Sequence, residues 1–121
     1  MTGVLVLAHG SRKNDTEITM DKIVDLVREE LRLELIQAAY MEFRSVSLES
    51  GLLELMGKGA DDIRVVPYFL FDGVHIREDI PQAINTFREQ HPEVRVTMGN
   101  TLGADKRLAG VLADRIREAL Q

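Results

Sequence analysis

The feature that most constrains the fold is a regular change between two hydrophobic periods along the chain. Residues 4–8 are continuously apolar, as in a strand buried on both faces, and apolar residues at helical spacing follow over residues 20–31. The same succession returns three more times, which predicts four strands and four helices in strict alternation. The remaining strands are predicted at residues 33–41, 63–71 and 94–98, and the remaining helices have their apolar positions within 48–56, 80–87 and 108–120.

Local signals at the helix ends agree with this division. Ser45 or Ser47 is predicted to cap the second helix, and the glycines of residues 57–59 are predicted to end it. Pro81 fits only the first turn of the third helix, where its missing N–H costs no hydrogen bond. Asp105 stands near the start of the fourth helix.

Alternating strands and helices predict an α/β fold with a parallel sheet and right-handed crossovers. To cover both faces of the sheet, the chain must reverse its winding once, and the economical strand order is 2-1-3-4. We therefore expect one flavodoxin-like, three-layer domain over residues 1–121, with helices flanking the sheet. Ligands of open α/β sheets bind beyond the strand C-termini where the winding reverses. The loops at that point are those after Ala8 and after Phe71.

Each of these two loops contains a histidine, His9 in the first and His75 in the second. Two imidazoles at one crevice make a plausible site for a divalent metal ion such as cobalt, nickel, iron or zinc. The alternative is that both are loop histidines that bond only to the backbone.

Glu42 follows the second strand, which neighbours the first, so its carboxylate is expected at the same crevice. It is a candidate third metal ligand or proton acceptor. The alternative is an ion pair with the nearby Arg44.

Basic side chains at the same edge of the sheet suit an anionic ligand, although the chain as a whole has a net charge of −5. These side chains are Arg12, Lys13, Arg44 and Arg77, and ordinary solvated residues are the alternative. The acidic balance disfavours nucleic acid as a partner. The chain has no cysteine, which excludes thiolate metal sites and a cysteine nucleophile, and no phosphate-binding glycine motif supports a nucleotide.

The apolar segments predict no membrane association. None approaches the ~20 residues that a bilayer requires, and residues 4–8 are too short for a signal peptide core. We therefore expect a cytoplasmic protein.

Two motifs resemble the small CbiX-type sirohydrochlorin chelatases. Residues 5–12 read LVLAHGSR and residues 66–81 read VPYFLFDGVHIREDIP, and the similarity extends over essentially the whole chain. The family belongs to the class II chelatases, which insert a divalent metal into a tetrapyrrole without ATP. Its small members resemble half of the two-domain enzymes and work as homodimers.

The resemblance implies a sirohydrochlorin cobaltochelatase, a lyase-type enzyme of cobalamin biosynthesis. It implies that His9, His75 and Glu42 act on the metal and in catalysis. It also implies no permanently bound cofactor, because Co²⁺, with Ni²⁺ or Fe²⁺ as alternatives, is a substrate beside sirohydrochlorin. The substrate carries many carboxylates, and the residues expected to bind it are Gly10, Ser11, Arg12, Arg44 and Arg77.

Two other functions compete with this interpretation. Histidine phosphatases also have a histidine–glycine pair after the first strand, but an arginine normally precedes that histidine, and here the residue is Ala8. A metal or tetrapyrrole carrier would use the same histidines without turnover.

Overall fold

Four parallel strands form one sheet in the order β2-β1-β3-β4, which confirms the predicted topology. The computed structural model describes the backbone of residues 1–121 and every side chain except that of His75. The strands are β1 (Thr2–Ala8), β2 (Ile36–Tyr40), β3 (Asp62–Pro67) and β4 (Arg95–Met98). The helices are α1 (Asp15–Leu31), α2 (Leu48–Gly57), α3 (Ile80–Gln90) and α4 (Lys106–Ala119), and a π-helical turn at His75–Asp79 leads into α3.

The main core lies between the sheet and helices α2 and α3. Leu5 and Leu7 of the central strand β1 are fully buried there. Burying a leucine side chain stabilises the fold by about 1.5–3 kcal/mol. Gly51 lets α2 approach the sheet closely, because a Cβ at this position would lie 2.8 Å from Cδ1 of Leu5. This packing fixes β1, and therefore the position at which the chain leaves the sheet after Ala8.

Two predicted strands are too long at one end. The predicted start of β2 at Leu33 is wrong, because the end of α1 extends to this point. Arg32 adopts a left-handed conformation (φ 55°), and the Leu33 N–H still donates to the Arg28 carbonyl. The prediction of β3 to Phe71 is wrong because the strand ends at Pro67. Its neighbour β1 ends at Ala8, which leaves the residues after Tyr68 without a strand to pair with.

Ser47, one of the two predicted caps of α2, and Asp105, expected near the start of α4, both cap their helices. Ser47 and Ser50 form a reciprocal capping box at the start of α2. The Asp105 carboxylate accepts the Arg107 N–H at 2.9 Å.

The fourth helix forms as predicted but exposes its apolar face. None of its residues, all of which the structure describes, is buried. The face, here called the α4 face, consists of Leu108, Val111, Leu112 and Ile116, and the last three are 50% exposed or more. On the α1 side of the sheet lies an apolar groove of about 320 Å³ that α4 does not enter. This groove, here called the sheet groove, is lined by residues that include Val6, Ile23, Val27, Val66 and Leu102.

Candidate active site

The loops after β1 and β3 lie side by side at the carboxyl edge of the sheet. The last hydrogen bond between the two strands joins the Tyr68 N–H to the Leu7 carbonyl at 2.7 Å. Beyond it the chains diverge into the loops that carry His9 and His75. The reversal of winding between β1 and β3 is therefore where the sequence predicts it, at the position where such folds bind ligands.

Backbone hydrogen bonds tie the β1 loop to the β2 loop. The Met41 N–H donates to the Ala8 carbonyl at 2.8 Å, and the Glu42 N–H donates to the His9 carbonyl at 3.1 Å. Both His9 and Glu42 have exposed side chains at this edge. The structure therefore brings together two of the three predicted metal-site residues.

Gly10 makes this approach of the two loops possible. Its φ of 89° lies in the region that disfavours side chains, and a Cβ would overlap the carbonyl oxygen of Glu42. The glycine after His9 is thus required by the crossing of two backbones.

The imidazole of His9 stacks on the ring of Phe69, which follows β3. The ring centroids are 4.4 Å apart and the planes differ by 7°. The Phe69 carbonyl in turn accepts the Leu102 N–H at 2.9 Å, which anchors this loop to the segment after β4. Sequence reasoning missed Phe69, and its only signal was an aromatic residue in the second motif. The stack fixes the plane of the imidazole and leaves its nitrogens at the ring edge.

An open groove of about 450 Å³ begins at His9. Its lining is mainly aromatic and aliphatic, which suits the faces of a flat organic ligand. The lining residues are His9, Tyr68, Phe69, Leu70, Phe71, Gly73 and Ile76.

The second predicted histidine, His75, has a described backbone only. It begins the π-helical turn, and the Arg77 N–H donates to the Gly73 carbonyl at 3.0 Å there. The part of the predicted metal site that depends on the His75 imidazole lies outside the described side chains. Among the side chains that are described, no three potential metal ligands cluster.

Two of the predicted substrate-binding arginines are exposed at this edge. Arg12 lies over the ring of Phe43, with its guanidinium carbon 5.0 Å from the ring centroid. Arg77 lies on the π-helical turn. Ser11 accepts a hydrogen bond from the Thr16 hydroxyl at 2.8 Å and donates to the Lys13 carbonyl. Its hydroxyl is therefore engaged in shaping the loop.

The third predicted arginine, Arg44, is largely enclosed. Its guanidinium pairs with both carboxylate oxygens of Glu17 at 3.1 and 3.2 Å, and its side chain is 18% exposed. The predicted alternative of an ion pair between Glu42 and Arg44 is therefore wrong, because Glu17 is the partner.

Tyr40 lies beneath the β1 loop with a buried hydroxyl that has no hydrogen-bond partner among the described residues. Burial raises the pKa of Tyr40 above 10.0, and the negative charges of Asp21 and Glu17 raise it further, whereas Arg44 lowers it. The tyrosine therefore stays neutral under the conditions in which the site would work.

The described chain contains no helix that combines the length and the apolar character needed to span a bilayer.

The sequence matches a known family over nearly its whole length. The sequence model of the CbiX family matches residues 3–119. A sirohydrochlorin cobaltochelatase from Saccharolobus solfataricus is 30% identical, and the match covers 98% of this chain and 95% of the relative. A sirohydrochlorin ferrochelatase from Priestia megaterium is also 30% identical, but the match covers 98% of this chain and only 44% of that longer relative.

Solved structures give the same result at the level of the fold. A CbiX protein from Marinobacter aquaeolei VT8, described as a cobalamin (vitamin B12) biosynthesis protein, is similar with a TM-score of 0.81 and 30% identity, over 99% of this chain and 98% of that one. The sirohydrochlorin chelatase SirB from Bacillus subtilis subspecies spizizenii, in complex with cobalt, has a TM-score of 0.88 at 22% identity. The match covers 97% of this chain and 50% of SirB, so the chain has the fold of one half of it.

Proposed function

Because the chain belongs to the CbiX family, we propose that it inserts a divalent metal ion, Co²⁺, into sirohydrochlorin without ATP, as a cytoplasmic enzyme of cobalamin biosynthesis. The observation that carries this proposal is the match over nearly the full length of both chains to a relative named as a cobaltochelatase. The domain of residues 1–121 would bind the metal ion as a substrate and hold no permanent cofactor.

His9 and Glu42 are proposed to handle the metal ion and the protons, together with His75. Insertion requires the ion to shed water, to approach one face of the macrocycle and to displace two pyrrole protons. Imidazole and carboxylate both bind such ions, and an imidazole exchanges protons near neutral pH. The Phe69 ring sets the plane of the His9 imidazole, and both rings line the groove in which the ion and the macrocycle would meet.

We propose that the groove at His9 holds the macrocycle and that the rim of this groove binds the carboxylates of the macrocycle. The aromatic and aliphatic lining offers contact to the flat ring system. Arg12 and Arg77 are exposed at the edge of the sheet, where they can pair with anionic side groups. Arg12 is held in place by its contact with Phe43. Gly10 and Ser11 shape the loop between His9 and Arg12.

A turnover assay tests the proposed activity. Purified protein is given excess sirohydrochlorin with Co²⁺, Ni²⁺ or Fe²⁺, and product is followed by absorbance. We expect many turnovers per protein with Co²⁺ and a higher kcat/KM for Co²⁺ than for the other ions. At most one product per protein would identify a carrier, and preference for Fe²⁺ would identify a ferrochelatase, the activity named for the relative from Priestia megaterium.

The same proposal includes a homodimer that covers the α4 face. Leu70 and Phe71 line both the groove at His9 and an apolar pocket of about 750 Å³ beside α4, so an interface on this helix reaches the edge of the site. The charges also suit a second copy. Helix α4 contains four basic and two acidic residues, whereas α1, which borders the sheet groove, contains six acidic and two basic ones. A second copy therefore offers the α4 face an apolar groove with a complementary border.

Light scattering on two variants tests the dimer. Val111→Glu places a charge on the α4 face, and we expect it to shift the protein to monomers at micromolar concentration. Gly110→Glu is the matched control, because Gly110 lies on the opposite side of the same helix with open space around it. A wild-type protein that is monomeric and fully active would contradict the dimer without affecting the proposed chemistry.

A further inference from the structure

Arg44 connects three segments that surround the candidate site. It belongs to the loop after β2, and its Nη1 atom donates to the Ser11 carbonyl at 3.3 Å and approaches the Arg12 carbonyl at 3.5 Å. Its Nε and Nη2 atoms face the two carboxylate oxygens of Glu17 on α1, at 3.1 and 3.2 Å. One guanidinium therefore joins the β2 loop, the β1 loop and the first helix.

This arrangement turns the Arg44 guanidinium toward groups inside the protein. A planar guanidinium can match a carboxylate with two parallel bonds. Here Nη2 donates to Oε2 of Glu17, and Nε lies opposite Oε1 in an ion pair without hydrogen-bond geometry. The Arg44 and Glu17 side chains are 18% and 31% exposed, whereas Arg12 and Arg77 are exposed. A substrate carboxylate that bound Arg44 would have to displace Glu17 and two backbone carbonyls.

Arg44 adds to the other side-chain contacts of the β1 loop, which include the stack of His9 on Phe69 and the contact of Arg12 with Phe43. The Ser11 hydroxyl bonds to Lys13 and Thr16, which are on its own side of the crevice. From the β2 side, the Met41 and Glu42 N–H groups donate to the Ala8 and His9 carbonyls. Among the described side-chain hydrogen bonds, that of the Arg44 guanidinium reaches the loop at the Ser11 carbonyl. Arg44 acts two residues beyond His9 and therefore restrains the segment that carries the imidazole.

The geometry points to Arg44 as a positioning residue: with Glu17 it forms a clamp that holds the His9 loop in register for the metal insertion proposed above. The expected effect of the clamp on the kinetics rests on that proposed function. Its structural consequence, the placement of the His9 ring against Phe69, is independent of the reaction. The substrate's carboxylates are then left to Arg12 and Arg77.

The test compares Glu17→Gln, Arg44→Gln and the double variant with a control pair elsewhere on α1. Arg28 bonds to Asp25 and to the Ile36 carbonyl in a similar arrangement at the far end of the helix. Arg28→Gln therefore removes a comparable bridge away from the site. Circular dichroism establishes that each variant is folded.

Kinetics distinguish a clamp from a substrate contact. For a clamp, we expect each single variant to lower kcat about tenfold with KM for sirohydrochlorin changed less than twofold, and the double variant to be no worse than either. Arg44→Lys is expected to behave like Arg44→Gln, because lysine keeps the charge but lacks the fork. If Arg44→Gln raised KM while Glu17→Gln left it unchanged or lowered it, the clamp would be refuted in favour of substrate binding.

A readout independent of turnover separates this inference from the proposed function. The stack on Phe69 should give the His9 ring protons a ring-current shift, so we expect their NMR signals to report where the loop places the imidazole. We expect Glu17→Gln and Arg44→Gln to reduce this shift and Arg28→Gln to leave it. Unchanged signals in both clamp variants would overturn the inference, even in a protein that proved to be a carrier. Co²⁺ titration by calorimetry then shows whether the displaced loop also binds the ion more weakly.

Discussion

Replacing Gly10 by alanine tests whether the crossing of the β1 and β2 loops holds the site together. A methyl group there would overlap the Glu42 carbonyl oxygen and would lie 3.2 Å from Cβ of Tyr40. The neighbour that must move is a backbone, which cannot yield by changing rotamer. We therefore expect Gly10→Ala to separate the segment of Glu42 from that of His9.

The expected cost has two parts. Holding an alanine at a positive φ costs about 1–2 kcal/mol, partly offset by about 0.4–1 kcal/mol from the stiffer unfolded chain. Loss of the bond from the Glu42 N–H to the His9 carbonyl costs about 0.5–1.5 kcal/mol, and residual overlap adds to it. The free energy of unfolding should fall by about 2–3 kcal/mol, with a loss of metal insertion of tenfold or more because the His9 loop is displaced.

Gly59→Ala is the matched control for the cost of holding an alanine at a positive φ. Gly59 has a φ of 102° in the turn between α2 and β3, and a Cβ there would meet nothing within 4 Å. We expect it to cost about 1 kcal/mol and to leave activity unchanged. Urea unfolding of both variants, with turnover measured on each, checks the difference. Equal stability losses and unchanged activity in Gly10→Ala would refute the idea that the contact with Glu42 shapes the site.

Three further predictions follow from the site and its surroundings. His9→Ala and His75→Ala should each lower metal insertion at least tenfold and change the free energy of unfolding in urea by less than about 0.5 kcal/mol, because His9 is exposed and neither residue belongs to a strand of the sheet. Glu42→Gln should reduce turnover clearly and should weaken sirohydrochlorin binding only modestly in a fluorescence titration. The reason is that the Glu42 carboxylate acts on the metal or on protons and repels the carboxylates of the substrate. Unchanged turnover would show that Glu42 is not a functional residue of the site. Tyr40→Phe should stabilise the protein by about 1 kcal/mol at neutral pH, because it removes a buried hydroxyl without a described partner. Burial and the charges of Asp21 and Glu17 raise the pKa of Tyr40 above 10.0, so the wild-type protein loses stability as the pH rises beyond that value. Unfolding measured against pH should show a smaller loss of stability in Tyr40→Phe.

The topology was predictable because it depends on periodicities that are visible in the sequence. The apolar run of β1 and the helical spacing of α1 alternate clearly, and the order 2-1-3-4 follows from covering both faces of a parallel sheet. That order alone places the loops of His9 and His75 at one edge. The strand ends were less predictable, because β3 stops where its neighbour β1 stops, and this is a property of the pair and not of either sequence segment.

The role of Arg44 was not predictable from its position in the sequence. It lies in a polar loop beside the expected ligand, where a basic side chain indicates substrate binding as readily as structure. Its partner Glu17 is 27 residues away on a different element, and only the folded chain brings the two together. Phe69 was missed for a similar reason, since an aromatic residue at a strand end predicts burial and not a stack on His9.

The α4 face shows how a correct helix prediction can still leave its packing open. The apolar spacing of residues 108–120 predicts an amphipathic helix, and the helix forms, but periodicity does not specify which surface the apolar side contacts. In this chain the sheet groove and the α4 face are both uncovered, although each has the apolar surface that the other requires. Burial of such a face is what normally stabilises a helix of this length, because isolated helices of about 14 residues are marginal in water. In the proposed dimer, helix α4 would gain its stability from the partner copy, so we expect the monomers produced by Val111→Glu to lose helical circular dichroism that the Gly110→Glu variant retains.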